Sequence, residues 1–154
     1  MTNYLPNIRN AVRAFIVRDG KVLLLHKKNE QQEKYYGLPG GGQDVGENLL
    51  AALQRECWEE IATQVEVMDL LFVADYFKEK LIDPPVTRHL VEFIFKCHVS
   101  DHYIATSGEK PDKHQIGVVW VAFNELSNIA FLPKDLAVLL ANDSARSVYL
   151  GSIQ

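Results

Sequence analysis

Residues 55–60 read Arg-Glu-Cys-Trp-Glu-Glu, four charged side chains in six positions. In an α-helix, positions three and four apart share a face, so Glu56, Glu59 and Glu60 project together. Like charges at that spacing destabilise an isolated helix by about 0.2–0.5 kcal/mol per pair. A helix that keeps three such carboxylates together has a use for a cation. Hard divalent ions take oxygen ligands, and Mg²⁺ is commonly held by one or two carboxylates plus substrate phosphates. A plain solvated face explains most Glu-Glu pairs, but it does not explain the glycine loop just before them. Residues 38–42 read Leu-Pro-Gly-Gly-Gly. Such a Cβ-poor segment lets a ligand approach the backbone and frees carbonyl oxygens as further hard ligands.

These residues need a helix and a sheet to position them. Leu50, Leu53, Cys57 and Ile61 recur at helical spacing and predict a buried stripe. The helix is expected to run from Gly46 or Glu47 to Ile61, with its acidic face about a third of a turn from the stripe. It can then dock on a sheet and hold its carboxylates at a cleft edge. Strands are expected over 11–17 and 22–26, joined by an Asp19-Gly20 hairpin turn. A polar loop covers 29–34. Further strands are expected over 65–77 (with an interruption), 87–99 and 116–123. In the second of these, Val91, Phe93, Phe95 and Cys97 share a face. Loops cover 79–86, with Pro84-Pro85, and 100–115. Leu132-Pro133 opens a last helix with Leu136, Leu139 and Leu140 inward. Strands between two amphipathic helices predict an α/β architecture with a mixed sheet sandwiched between helices.

The 154 residues are enough for one domain with its own core, expected to span 1–154. Apolar residues make up 47% and charged ones 23%, ordinary for a soluble globular protein. The formal net charge of −4 argues against duplex nucleic acid as a partner. Cys57 and Cys97 lie on apolar-patterned elements without CxxC spacing and read as reduced core thiols. No apolar signal-type segment opens the chain and no run reaches membrane-spanning length, so a cytoplasmic location is expected and no membrane partner.

The segment 41–63 resembles the Nudix box, whose pattern is Gly-x5-Glu-x7-Arg-Glu-aliphatic-x-Glu-Glu-x-Gly-aliphatic. Gly41, Glu47, Arg55, Glu56, Glu59 and Glu60 all stand in register, and Leu38-Pro39-Gly40 matches what commonly precedes the box. Two positions depart: Ala62 replaces the glycine and Thr63 the aliphatic residue. That glycine ends the helix in a left-handed conformation, which costs Ala about 1 kcal/mol, so a differently built helix exit is expected. The resemblance implies the MutT-type α/β/α sandwich. It implies divalent-metal-dependent hydrolysis of a phosphoanhydride in a nucleoside diphosphate linked to a group X, releasing a nucleoside monophosphate. ADP-ribose, a nucleotide sugar and a nucleoside triphosphate all remain open as substrate. Mg²⁺ or Mn²⁺ is the implied cofactor. The metal set carried over is Glu59, Glu60, the Gly40 carbonyl and Glu56, with Glu56 a ligand, the general base, or both. Arg55 is the residue that orients a site glutamate. Gly41 and Glu47 are structural, Glu47 as a partner of Arg55. Many relatives pair as homodimers, and no apolar seam in the sequence marks one here.

Outside the box, some relatives use a further acid in the late loop. Here residues 107–120 read SGEKPDKHQIGVVW, with Glu109, Asp112 and His114 as candidates for an extra base. His114 suits that role because imidazole titrates near neutrality. Lys27 and Lys28 could meet phosphate, and Tyr36 could stack on a base or simply be structural. Glu92, on the polar face of its strand, could approach the cleft, with a solvated strand face as the default. His26, His89, His98 and His102 show no metal spacing. P-loop, GxGxxG, HExxH, GxSxG and EF-hand patterns are absent. The competing reading is a ligand sensor without catalysis, which the three intact box glutamates argue against.

Overall fold

A computed structural model describes residues 1–141 and 147–154. Eight strands and two helices follow in chain order: β1 Arg9–Arg18, β2 Lys21–Lys28, β3 Lys34–Gly37, β4 Gly40–Gly42, α1 Leu49–Ile61, β5 Glu66–Lys80, β6 Val86–His98, β7 Gln115–Ala122, α2 Lys134–Ala141 and β8 Tyr149–Ile153. A 3₁₀ segment, Phe123–Asn128, follows β7. The strands form one mixed sheet in the order β3-β2-β1-β6-β5-β8, with β4 also paired to β1 and β7 to β2. This is the expected mixed sheet between helices.

One edge of β1 is forked. Its first half pairs antiparallel with β4, from Ala11↔Gly42 to Arg13↔Gly40, and its end pairs with β2 at Val17↔Val22. The other edge runs parallel to β6, from Arg9↔Leu90 to Ile16↔Cys97. The fork opens a gap beside the glycine segment. That segment is therefore a strand, not the loop expected from its composition. Three glycines have almost no strand propensity, and the ladder supplied by β1 overrides it.

Two apolar clusters fill the two faces. Leu53, Cys57 and Ile61 of α1 pack on Val12, Ala14, Ile16, Phe95 and Cys97. On the other side Leu136 and Ala137 of α2 join Phe15, Leu24, Ala74, Ile94 and Leu126, with Leu139 and Leu140 against them. Phe93, Phe95 and Cys97 thus share the face predicted for them. Cys57 and Cys97 are both buried free thiols.

Several boundaries move. The β5–β6 ladder continues through Glu79↔Thr87 and Lys80↔Val86, so only 81–85 remain as the turn where a longer loop was expected. The interruption expected in β5 is present as register shifts around Leu70. Helix α1 starts at Leu49, after the expected Gly46 or Glu47, because Asn48 caps it by accepting the Ala51 N–H at 2.8 Å. Leu50 is exposed rather than in the stripe. Leu49, one residue earlier, packs on the core in its place, and the stripe turns with it. The exit of α1 is also not rebuilt: Ala62 takes the left-handed conformation at φ 58°, ψ 28°. Strand β8 was not anticipated. It pairs parallel with β5 at Val73↔Tyr149 and Tyr76↔Ile153. Among the described residues, no helix is long and apolar enough to cross a membrane.

Candidate functional site

The turned stripe of α1 has a chemical consequence. Its buried residues are Ala52, Leu53, Cys57, Glu60 and Ile61, so Glu60 lies on the buried face itself. Glu60 is 3% exposed and accepts the Gly40 N–H at 2.8 Å. Burial pushes its carboxyl up to about 8, with Gly40 and Arg13 pulling the other way. Burial also raises the Glu56 carboxyl, against the pull of Arg55. Glu56, Glu59 and Glu60 line one cleft with Gly40, Gly41 and Gly42, as their spacing implied. The glycines are needed there for space. A Cβ at Gly40, whose φ is +139°, would overlap the Val12 carbonyl, and one at Gly41 would overlap the Glu56 carboxylate.

Arg55 ties the box together. Its Nε and Nη2 donate to the two oxygens of Glu47 at 2.8 and 2.9 Å. Nη2 also reaches the Gly42 carbonyl at 2.9 Å, while Nη1 reaches Glu56 at 3.0 Å and Glu59 at 3.4 Å. Glu47 can fold back this way because it stands outside the helix. Hydrogen bonds from Arg55 and from the Asp44 N–H hold the Glu47 carboxyl down at about 2.

A second arginine was not anticipated. Arg13 donates Nε and Nη2 to Glu92 at 2.9 and 3.3 Å and Nη1 to the Gly40 carbonyl at 2.9 Å. Glu92, expected on a solvated face, is 1% exposed. Burial works against the charge on Arg13, and Glu92 more than offsets it, so the guanidinium stays protonated. An alternating strand pattern cannot reveal a buried ion pair, because its acid occupies a position that reads as solvent-facing. Arg13 and Glu92 are each flanked by apolar residues in β1 and β6, as any solvent-facing strand position is, so the flanks carry no distinguishing signal.

The late loop closes on the end of α1. Lys110 N and Gly108 N donate to the Glu59 and Glu60 carbonyls, and Gln115 Nε2 also reaches the Glu60 carbonyl at 2.8 Å. Tyr103 Oη donates to the Ile61 carbonyl at 2.8 Å. Of the loop candidates, Asp112 lines the cleft and pairs with Lys27 at 2.9 Å. His114 is half-buried beside it, its N–H on the Asp112 carboxylate at 3.1 Å, and lies outside the cleft lining. Glu109 is exposed and also outside that lining. Lys27, unlike Lys28, lines the cleft. Arg13, Lys27 and Lys78 are shared with an annex walled by Tyr35, Tyr36, Tyr76, Leu132, Pro133 and Leu136. Tyr36 stacks on His26 at 4.7 Å between ring centres. His89 and Tyr149 both hold Asp75, at 2.6 and 2.5 Å, on the far side of the sheet path.

The donors at the cleft are carboxylates and a carbonyl, the set that suits Mg²⁺ or Mn²⁺. Among the described residues, no three acidic, His or Cys side chains stand gathered as a finished cation cage. Arg55 and the Gly40 N–H hold the carboxylates instead. A buried carboxyl as basic as Glu60, with two more beside it, is nevertheless chemistry that a divalent ion satisfies.

The chain matches the NUDIX domain family over residues 7–142. It is 30% identical over 118 residues to a MutT-like protein of Streptomyces ambofaciens, covering 76% of this chain and 66% of that one. It is 38% identical over 63 residues to an ADP-ribose pyrophosphatase of Methanocaldococcus jannaschii, covering 41% of this chain and 37% of that one. The chain therefore spans under two thirds of the length of these curated relatives. The fold is shared with the crystal structure of a NUDIX hydrolase from Nitrosomonas europaea, at a TM-score of 0.68 and 20% identity, over 97% of this chain and 81% of that one. A box in register, the fork of β1 that exposes it and the match along most of the chain agree: this protein belongs to the NUDIX family.

Proposed function

We propose that this chain hydrolyses the phosphoanhydride of a nucleoside diphosphate linked to a further group X, with Mg²⁺ or Mn²⁺ as cofactor. The observation that carries this reading is Glu60, buried on the helix stripe, basic, and aimed at the glycine strand in a cleft shared with Glu56 and Glu59. In its ionised form this group calls for a cation, and Lys78, which makes no ion pair among the described residues, lines the same cleft where phosphate would lie. Glu56, Glu59, Glu60 and the Gly40 carbonyl would hold the ion. When bound, the ion neutralises phosphate charge and lowers the pKa of a water.

The chain's own groups do the rest. Arg55 fixes the rotamers of Glu56 and Glu59 by bridging them to Glu47 and Gly42. Arg13 fixes the Gly40 carbonyl and leaves that oxygen one free lone pair. Glu56, raised by burial, is the carboxylate we assign as proton acceptor for the attacking water. Asp112, held by Lys27, lies across the cleft; His114 and Glu109 would need a movement of the loop to serve. The aromatic annex offers the rings of Tyr35, Tyr36 and Tyr76 beside the cleft, and we assign its mouth to the nucleoside base.

The test is turnover of ADP-ribose, nucleotide sugars and nucleoside triphosphates with Mg²⁺ or Mn²⁺, in the wild type and in Glu60→Gln. Release of a nucleoside monophosphate that stops on chelation, and falls at least about 10³-fold in the variant, is expected, since ligand loss removes several kcal/mol of charge stabilisation. Ligand binding without turnover would overturn the reading in favour of a sensor.

A further inference from the structure

We infer that Lys78, Lys80 and Arg88, with Arg9, form a counter-charge strip for phosphate carried by the X group, so that this site is built for phosphate chains of three or more. The inference rests on the hydrolase reading and specifies its substrate class.

The strip follows from strand register. On the cleft side of the sheet, β1 presents Arg9, Ala11 and Arg13, β6 presents Arg88, Leu90 and Glu92, and β5 presents Lys80, Lys78 and Tyr76. Lys78 stands directly opposite Arg88 in the β5–β6 ladder. Like charges facing each other across a ladder destabilise it, and an acid at either place would stabilise it. Arg9, Lys78, Lys80 and Arg88 make no ion pair among the described residues. Of the other cations lining the cleft, Arg13 is engaged by Glu92, Lys27 by Asp112 and Lys113 by Glu30, while Lys110, on the late loop rather than the sheet, adds to the excess. This excess of positive charge stands in a chain whose formal net charge is −4, so it is not the sequence's general bias.

Position decides what the strip would bind. Arg9, Lys80 and Arg88 line the carboxylate cleft and not the aromatic annex. A nucleoside seated in the annex places its diphosphate at Glu56, Glu59 and Glu60, and whatever lies past the scissile bond falls among the unpaired cations. A neutral sugar there would leave Arg9, Lys80 and Arg88 uncompensated, whereas a further phosphate would pair with them. For a nucleoside triphosphate the reaction balances simply. Water oxygen bonds to one phosphorus of the α–β anhydride, the bridging P–O bond breaks, and the other phosphate group leaves with the electron pair (pyrophosphate for attack at the α-phosphorus, nucleoside monophosphate for attack at the β-phosphorus), while the water proton passes to the carboxylate base.

The experiment compares nucleoside triphosphates with ADP-ribose by kcat/KM, in the wild type, Lys80→Gln and Lys80→Gln/Arg88→Gln. Calorimetric binding of inorganic tripolyphosphate, without nucleotide, runs alongside. The wild type should favour the triphosphate, and the double variant should lower that preference about 10-fold, through KM rather than kcat. Tripolyphosphate should bind about 10-fold more weakly to it, with a shallower salt dependence. Arg88→Lys should restore part of both. An unchanged preference in the double variant, with turnover intact, overturns the strip and leaves the hydrolase. Strip-dependent tripolyphosphate binding without turnover of any nucleotide upholds the strip and overturns the hydrolase. Neither turnover nor binding overturns both.

Discussion

Two arginines organise this site, and they are built in opposite ways. Arg55 gathers partners from its own stretch of chain, Glu47, Glu56 and Glu59, and stays partly in water. Arg13 reaches Glu92, 79 positions away, through a parallel strand pair, and its partner is almost wholly buried. The two meet at the glycine strand, where Arg13 holds the Gly40 carbonyl and Arg55 the Gly42 carbonyl. The first assembly orients carboxylates, and the second anchors the strand they face. A partly solvated network can lose a member at modest cost to the fold, whereas removing the buried Glu92 leaves the Arg13 charge without its partner at the edge of the core.

That contrast can be broken by mutation. Glu92→Ala should have the largest effect, a loss of about 3–5 kcal/mol of stability. In a chain of this size it would appear as a Tm lower by roughly 10 °C in a thermal melt. An unchanged Tm would mean that the pair is not formed in solution. Arg55→Ala should lower kcat about 10–100-fold, as loss of a group that orients metal ligands commonly does. It should cost less stability than Glu92→Ala, because Arg55 and its partners keep some access to water while Glu92 is 1% exposed. A large stability loss with intact turnover would reverse the roles assigned to the two arginines.

Acid titration sharpens the same contrast. Glu47 has its folded-state carboxyl held at about 2, below the ordinary 4.5 of the unfolded chain. The unfolded state therefore binds the proton first, and the contribution of Glu47 is present above about 4.5 and lost as pH falls towards 2. Glu60 has the opposite sign, raised to about 8. In metal-free protein its ionisation erodes stability as pH rises from about 4.5 to 8. Urea unfolding across this range, for the wild type and for Glu47→Gln and Glu60→Gln, should remove the two slopes separately. The smallest effect belongs to Ala62→Gly, which relieves a left-handed alanine at the end of the box. It should raise stability by about 1 kcal/mol, or a few degrees in Tm.

What could be read from the chain follows the same division. Glu56, Glu59 and Glu60 were legible because helical geometry alone places them together, and Glu47 with Arg55 because the box is local. The stripe was misplaced by one residue, Leu50 for Leu49, since both are leucines and only the Asn48 cap decides where the helix starts. Arg13 with Glu92 was not legible, because the pairing of β1 with β6 is set by the whole sheet. Gly40–Gly42 read as a loop because propensity argues against a strand of glycines, and only the open edge of β1 makes it one. Strand β8 is five residues docked parallel on β5, too short to announce itself by alternation.

The closure of the late loop on α1 bears on how this chain could be altered by insertion or grafting. Three consecutive carbonyls at the helix end are received by Tyr103, Gly108, Lys110 and Gln115. Lengthening the segment between Tyr103 and Gln115 would shift the register of those contacts and loosen the turn that carries Glu59 and Glu60. A peptide tag or reporter placed at 81–85, where β5 turns into β6, would leave those carbonyl contacts in register. Loop swaps meant to change substrate range would meet opposite fates at the two places: at 81–85 the carboxylates keep their seat, while at 103–115 any new sequence must first rebuild the end of the helix.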